Sequence, residues 1–159
     1  MALAVAEELR RMESVISVAT PALNIAERLA GVESIEVTVL GGMLRGSSFG
    51  TVGPLTTAAL LSMRADIAFL SPDRLDERGL VFNSMMDAEV AQTMAARADR
   101  VVVIADSSKF ASGGMAVLTT WDRVDDLITE RISPSMSARI QDCDVRVRVT
   151  GVVRPRTPR

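Results

Sequence analysis

The sequence predicts an α/β protein with a doubly wound, mainly parallel, Rossmann-like sheet, and three observations support that class. Short runs rich in β-branched residues, such as 15–19 and 35–40, alternate with stretches whose apolar residues recur at helical spacing. The run 101–105 is apolar throughout, as expected for a strand that is covered on both faces. Alternation of strand and helix at this spacing indicates βαβ units with right-handed crossovers.

The individual elements follow from the same patterns, taken in chain order. Strands are predicted at 15–19, 35–40, 67–70, 101–105, 127–129 and 145–149. Helices are predicted at 22–30, 55–63, 87–98 and 135–141. The polar segment 71–79 is expected to be a loop because Pro72 and Gly79 interrupt it. In 145–149 two arginines alternate with valines, which favours an edge strand with one face in water.

Length and composition favour one compact domain. Of the 159 residues, 48% are hydrophobic and 24% are charged, so residues 1–150 are expected to form a single core. The basic segment 151–159 is expected to be a disordered tail. The net charge of −2 argues against a chain that binds nucleic acid directly. No apolar run is long enough to span a membrane and the start lacks the pattern of a secretory signal, so a cytoplasmic protein is predicted.

The residue types that the sequence lacks exclude several kinds of catalysis. The chain has no histidine and one cysteine, which rules out triads with a histidine base and multi-cysteine metal clusters. Tyrosine is absent as well. We therefore predict no catalytic residues, no metal site and no cofactor, and we expect that the protein is not an enzyme.

Ligands bind beyond the carboxyl ends of the strands in such sheets, so the loops after the strands are the candidate sites. In the first loop Thr20 could hold an anion at the start of a helix, or could only cap that helix with Pro21 in its first turn. In the second, the Gly41-Gly42 pair and Arg45 could bind a phosphate or carboxylate, or could form a tight turn with a surface arginine.

Five further residues, in three segments, complete the list of candidates. Gly53 is either another point of close approach or the entry to a helix. Asp73 and Asp76 could accept hydrogen bonds from sugar hydroxyls, or could simply be solvated. Lys109, the only lysine beside 17 arginines, follows the most apolar strand together with Asp106. A compact ammonium fits a tight site into which a planar guanidinium does not fit. The alternative is a Lys109–Asp106 pair that braces the loop.

Taken in order, these segments resemble the C-terminal sensor domain of DeoR-family bacterial repressors over most of the chain. Residues 17–26 are similar to the family's strand, turn and Leu-Asn-Ile-Ala helix. Residues 41–45 match its Gly-Gly-x-x-Arg element, and 65–70 resemble the strand that leads into its acidic loop. The most specific match is 105–110, which agrees with the family's Asp-Ser-Ser-Lys-Phe signature residue for residue.

The resemblance implies a fold shared with ribose-5-phosphate isomerase, glucosamine-6-phosphate deaminase and the CoA transferases. It also implies an effector-sensing and oligomerisation domain of a transcriptional regulator of sugar metabolism. The small-molecule effector would be a phosphorylated sugar or a related metabolite, and the assembly a homo-oligomer. DNA would be contacted only through a helix-turn-helix domain that this chain does not contain. By position, the pocket would be lined by Thr20, Gly41, Gly42, Arg45, Gly53, Asp73, Asp106 and Lys109.

The sequence departs from the family pattern at several places, among them Ser71-Pro72, which stand where the family has a Gly-containing pair. In that pattern a first strand ends in an Asp-Ser-Gly-Thr-Thr loop, which is expected to cradle the phosphate, and a helix follows. Residues 1–9 resemble that helix, and the strand before it is missing here. Pro21 stands in place of an asparagine. Arg74 stands in place of a glycine, and we expect it to fill or re-charge the pocket.

Two other functions stay open at this point. One is an isomerase or deaminase of the same fold, with Asp73 or Asp76 as the base and Lys109 as the electrophile. The other is an oligomerisation module without a small ligand.

Overall fold

The computed structural model describes residues 1–46, 48–110 and 118–151. Helices lie at Ala2–Leu9 (α1), Leu23–Leu29 (α2), Pro54–Leu61 (α3), Met85–Ala96 (α4) and Pro134–Gln141 (α5). Strands lie at Ile16–Thr20 (β1), Ile35–Val39 (β2), Met43–Arg45 (β3), Gly50–Val52 (β4), Ala65–Leu70 (β5), Arg74–Asp76 (β6), Gly79–Val81 (β7), Ala98–Ile104 (β8), Leu118–Thr120 (β9), Asp126–Thr129 (β10) and Arg146–Val149 (β11). Each predicted strand and helix is present within a few residues of its predicted bounds.

Four of the strands form a parallel sheet in the order β11-β10-β8-β5. Helices α4 and α5 pack on one face of it, where Ala91 and Ile140 join Val103 and Leu127 in one buried cluster. The run 101–105 is buried throughout, as its continuous apolar character predicts. The mixed α/β class is thus confirmed, and the parallel sheet is compatible with a Rossmann-like fold.

The strands β1 and β2 form a second, two-stranded parallel sheet. Ala6 of α1, Leu29 of α2 and Ile35 of β2 are buried together beside it. Helix α2 begins at Leu23, two residues later than a Thr20 cap would require; its N-cap is Ala22, and no side chain caps it. The alternative of Thr20 as the helix cap is therefore wrong. The Thr20 hydroxyl instead accepts a hydrogen bond from the Ala22 N–H at 3.1 Å, which closes a turn before the helix.

The prediction of a loop over 71–79 is also wrong, because this segment contributes to a hairpin. Strands β6 and β7 pair antiparallel, and β9 continues the sheet beyond β7. Leu75 and Leu80 face each other in that pairing and are fully buried. Gly79 adopts a φ of +146°, and a Cβ there would lie 2.3 Å from the Thr119 carbonyl oxygen. The glycine that suggested a loop is thus needed for close contact between two strands.

Asp126, at the start of β10, is buried and accepts hydrogen bonds from three arginines on the neighbouring strands. Its carboxylate lies 2.8 Å from Arg100 Nε, 3.0 Å from Arg146 Nη2 and 3.0 Å from Arg148 Nε. Burial alone would raise the pKa of Asp126, but the hydrogen bonds from Arg100 and Arg148 outweigh it and hold that pKa below its ordinary value. Strand β11 is an edge strand, as predicted, and its arginines are ion-paired rather than only solvated.

Among the described residues, no helix has both the length and the apolar character needed to cross a membrane. The predicted tail, 151–159, lies outside the described residues after Gly151.

Candidate functional site

The predicted site residues follow strand ends in two regions, and a series of contacts connects them. The isolated bridge between Leu75 and Phe110 brings the segment after β8 beside β6. Asp73 accepts a hydrogen bond from the Asn83 N–H at 2.7 Å. The next residue, Ser84, accepts one from Arg45 Nη1 at 3.0 Å. Lys109, Asp73 and Arg45 therefore lie along one continuous set of contacts.

Asp106 and Lys109 belong to a single 3₁₀ turn, Ser107–Lys109, that directly follows β8. The Asp106 carboxylate accepts hydrogen bonds from the backbone N–H (3.1 Å) and the hydroxyl of Ser108. The Lys109 N–H closes the turn on the Asp106 carbonyl oxygen at 3.0 Å. The pairing of the Lys109 ammonium with Asp106, considered above, does not form, because the carboxylate is occupied by the turn itself.

Lys109 is half-buried, and its ammonium group makes no ion pair or hydrogen bond with any of the residues in 1–46, 48–110 and 118–151. A partly buried cation without a counter-ion is unusual, since protein charges withdrawn from water are normally paired. The position at the carboxyl end of a central strand is also where ligands bind in open parallel sheets. Within the described part of the chain, the ammonium is thus without an anionic partner.

Glu130, which the sequence argument did not single out, fixes the same turn from the next strand. It follows β10, and both of its carboxylate oxygens accept hydrogen bonds from the Ser107 N–H, at 2.9 and 3.0 Å. The hydroxyl and N–H of Ser107 lower the pKa of Glu130 to about 2. Its place directly after a predicted strand was the available signal, because β8 and β10 are parallel neighbours whose carboxyl ends share one edge.

Arg45 does not point to an open anion site in this structure. Besides its bond to Ser84, its Nε lies 3.1 Å from Asp87 Oδ2, although within the described chain that Nε makes no hydrogen bond of good geometry. Ser84 is the N-cap of α4, and Asp87 lies in the first turn of that helix. Arg45 therefore braces β3 against α4, and an anionic ligand would have to share it with Asp87.

Gly41, Gly42 and Gly53 differ in their surroundings. Gly42 has a φ of +144°, and a Cβ on it would lie 2.1 Å from Thr56 Oγ1 and 2.7 Å from the Val52 carbonyl oxygen. Gly41 has open space around it, and its carbonyl oxygen accepts a hydrogen bond from Thr56 Oγ1 at 2.6 Å. Gly53 precedes α3 with a φ of +93° and open space. Gly42 is thus explained by packing, whereas Gly41 leaves exposed backbone beside the site and Gly53 is buried.

The remaining candidates are engaged in local structure. Thr20 is buried and its hydroxyl is taken by the turn before α2. Asp76 hydrogen-bonds Arg78; burial would raise the pKa of Asp76, but that partner lowers it below its ordinary value. Arg74 is half-buried in β6, paired with Val81; its effect on the pocket stays a prediction. Both aspartates accept hydrogen bonds from nearby backbone, Asp73 from the Asn83 N–H and Asp76 from the Arg78 N–H.

The predicted site residues line no part of a groove that lies elsewhere on the described chain. An open groove between α1 and α2 is lined by Leu3, Glu7, Asn24 and Arg28 among others, away from the strand ends that carry the predicted residues. Within the described residues, no three acidic or cysteine side chains come together in a way that could hold a metal ion.

Comparison with known proteins agrees with the sequence motifs. The family profile described as "DeoR C terminal sensor domain" matches residues 1–131. The chain is 30% identical over 134 residues to the putative aga operon transcriptional repressor of Escherichia coli O157:H7, covering 84% of the chain and 49% of that relative. It is 26% identical to the HTH-type transcriptional repressor CsqR of Escherichia coli K12, covering 83% of the chain and 51% of the relative.

A third relative extends the match. The HTH-type transcriptional regulator GolR of Listeria innocua serovar 6a is 29% identical over 150 residues, which covers 93% of the chain and 59% of that protein. The chain thus spans about half the length of the curated relatives that it matches. The names of all three are those of transcriptional regulators and not of enzymes.

Proposed function

The chain belongs to the DeoR C-terminal sensor domain family, and from that premise we propose that it senses a phosphorylated sugar for a transcriptional regulator. The observation that carries the proposal is the half-buried Lys109 ammonium, which has no counter-ion among the described residues and lies in the turn after β8. Asp106 and Glu130 fix the backbone of that turn from two sides. The cation therefore has a set position at the edge of the sheet.

A phosphoryl group is the ligand chemistry that this arrangement favours. A phosphoryl group would supply the negative counter-charge that the Lys109 ammonium lacks among the described residues, through a charge-assisted hydrogen bond. Sugar hydroxyls could be recognised by the exposed backbone at Gly41 and by the carboxylates of Asp73 and Asp106, since one carboxylate can accept several hydrogen bonds. Those two carboxylates carry negative charge and would repel the phosphoryl group, so they favour a ligand with one anionic end and one hydroxylated end.

The wider proposals concern the whole regulator. We propose that residues 1–150 form one sensor domain of the fold shared with ribose-5-phosphate isomerase and its relatives, that it assembles as a homo-oligomer and that it works in the cytoplasm. DNA would be contacted only by a helix-turn-helix domain, which residues 1–150 do not supply. Effector binding can change DNA affinity only if the effector binds two states of the regulator with different affinities.

Thermal unfolding tests the ligand proposal. The chain is melted with a panel of hexose and pentose monophosphates, each compared with its unphosphorylated sugar and with inorganic phosphate. At a concentration well above Kd, we expect at least one sugar phosphate to raise Tm by about 5 °C or more. Lys109→Ala should abolish that rise. Arg11→Ala, which removes an exposed cation on the turn after α1, should leave it intact.

The outcomes separate the alternatives. A rise of Tm with every phosphorylated compound, inorganic phosphate included, would indicate an anion site without sugar recognition. No rise with any sugar phosphate would contradict the proposal and favour an oligomerisation module without a ligand.

A further inference from the structure

Six exposed apolar side chains gather around one corner of the molecule, and we call this group the apolar patch. It consists of Met43, Leu44, Phe49, Leu55, Met85 and Met86, which are between 43% and 73% exposed. Contiguous apolar surface of this kind usually marks a binding surface on a water-soluble domain. The chemistry of the patch has to indicate which partner would cover it.

Side-chain contacts show that the three segments of the patch adjoin one another. Arg45, which follows Met43 and Leu44 in β3, reaches Ser84 and Asp87 at the start of α4, beside Met85 and Met86. The Gly41 carbonyl accepts a hydrogen bond from Thr56, next to Leu55 in the first turn of α3. Thr57 Oγ1 lies 3.3 Å from Glu89 Oε1, which joins the first turns of α3 and α4. The three segments that carry the patch therefore lie next to one another.

The charge of the patch is balanced within it. In the segment 41–57 the only ionisable side chain is Arg45, and its charge is matched by Asp87 at 3.1 Å. Apart from the Glu89 carboxylate, which Thr57 contacts, two copies of the patch can therefore meet without bringing like charges together. Isologous contacts place the same surface on both sides of a twofold axis, so this self-compatibility is the property that they require.

The backbone of β3 gives the same surface an unpaired edge. Strand β3 pairs only with β4 among the described strands, whereas β4 is also held on its other side, where Ala22 bridges Gly50 and the Leu23 N–H donates to the Phe49 carbonyl. The outer edge of β3 thus keeps hydrogen-bonding groups next to Met43 and Leu44. Such edges pair readily with a second chain.

A second apolar surface among the described residues lacks this self-compatibility. Ile67 and Phe69 are partly exposed on the face of the four-stranded sheet that also carries Arg100, Arg146 and Arg148. Those three arginines share one carboxylate, that of Asp126. Two such faces would bring uncompensated positive charges together, which disfavours a second copy there.

We propose that the apolar patch is the surface through which two copies of this chain associate about a twofold axis, with the β3 edges at its centre. The inference rests on the homo-oligomer of the proposed function and not on its ligand. It also places Gly41, Gly42 and Arg45 beside the subunit contact, so that a ligand at those residues would touch the element that joins the two copies.

Mass measured by light scattering during gel filtration, without any sugar phosphate, tests the proposal on the full chain. We expect about twice 17.1 kDa at high protein concentration, with dissociation on dilution. Leu44→Glu and Met85→Glu should each raise the dissociation constant by roughly tenfold or more, since they place charge in a desolvated contact. Val15→Glu is the matched control, because Val15 is 87% exposed and lies outside the patch.

Circular dichroism of each variant, compared with the unmodified chain, shows whether its fold is intact; because the replaced side chains are exposed, no change is expected. A chain that stays at 17.1 kDa at every concentration would overturn both the surface and the proposed homo-oligomer. If Leu44→Glu and Met85→Glu leave the oligomer as stable as Val15→Glu leaves it, the proposed surface is overturned but the homo-oligomer is not.

Discussion

Gly42 shows how one residue in a predicted site can be explained by packing rather than by ligand binding. Its positive φ and the 2.1 Å approach of a Cβ to Thr56 Oγ1 leave no room for any side chain. Gly41, one residue earlier, has neither restriction. A double glycine in a sequence does not distinguish these roles, because both residues are compatible with a turn and with close approach of a ligand.

The two glycines therefore make a matched pair of variants. Gly42→Ala should lower the free energy of unfolding by about 2 kcal/mol or more, because it adds both backbone strain and a clash with Thr56. Gly41→Ala should change it by less than about 0.5 kcal/mol. Urea denaturation followed by circular dichroism measures both values. Equal effects of the two substitutions would contradict this explanation of Gly42.

The Glu130 carboxylate makes the free energy of unfolding depend on pH in the acidic range. Its pKa is about 2 in the folded chain and about 4.5 when it is released from Ser107, so the unfolded state binds the proton first as pH falls. Its contribution to stability is therefore complete above about pH 4.5 and is lost as pH falls toward about 2.

Comparison with Glu130→Gln isolates that contribution. The unmodified chain should be more stable than the variant at neutral pH, and the difference should shrink between about pH 4.5 and about pH 2. Denaturant titrations at several pH values provide the measurement. A difference that stays constant across that range would show that the carboxylate does not hold the Ser107 turn.

At the scale of whole elements, Asp126 joins three strands of the parallel sheet through one carboxylate. Asp126→Asn should lower the free energy of unfolding by about 2 kcal/mol. This is less than for a fully buried pair, since Arg100, Arg146 and Arg148 can turn into water. Asp99→Asn is the control, because Asp99 pairs with Arg64 at an exposed position, and it should cost less than about 0.5 kcal/mol. Equal losses on urea denaturation would refute the role of Asp126.

Elements with a long or regular pattern could be predicted from the sequence, and short ones could not. Strand β8 stands out because seven residues include an uninterrupted apolar run. Strands β6 and β7 have three residues each, and Arg74 and Asp76 flank the single apolar Leu75 in β6. Their pairing depends on the distant β9 and on Trp121, whose Nε1–H donates to the Asp76 carbonyl at 3.0 Å. No local pattern carries that information.

At the scale of the whole molecule, motif and topology together located the candidate site, while its internal contacts needed coordinates. The segment 105–110 placed Lys109 at a strand end, and the structure leaves its ammonium unpaired within the described chain. The contacts of Glu130 with Ser107 and of Arg45 with Asp87 join residues more than twenty positions apart. Spacing in a single sequence gives no measure of such distances.

The central claim is that Lys109 meets the anionic end of a sugar phosphate, and the single lysine of the chain makes it directly observable. With isotope-labelled lysine, the protein gives one lysine side-chain resonance in an NMR spectrum. We predict that this resonance shifts and saturates on titration with a hexose or pentose monophosphate that raises Tm, and stays in place with the unphosphorylated sugar. A resonance that does not move while the same sugar phosphate raises Tm would contradict the claim.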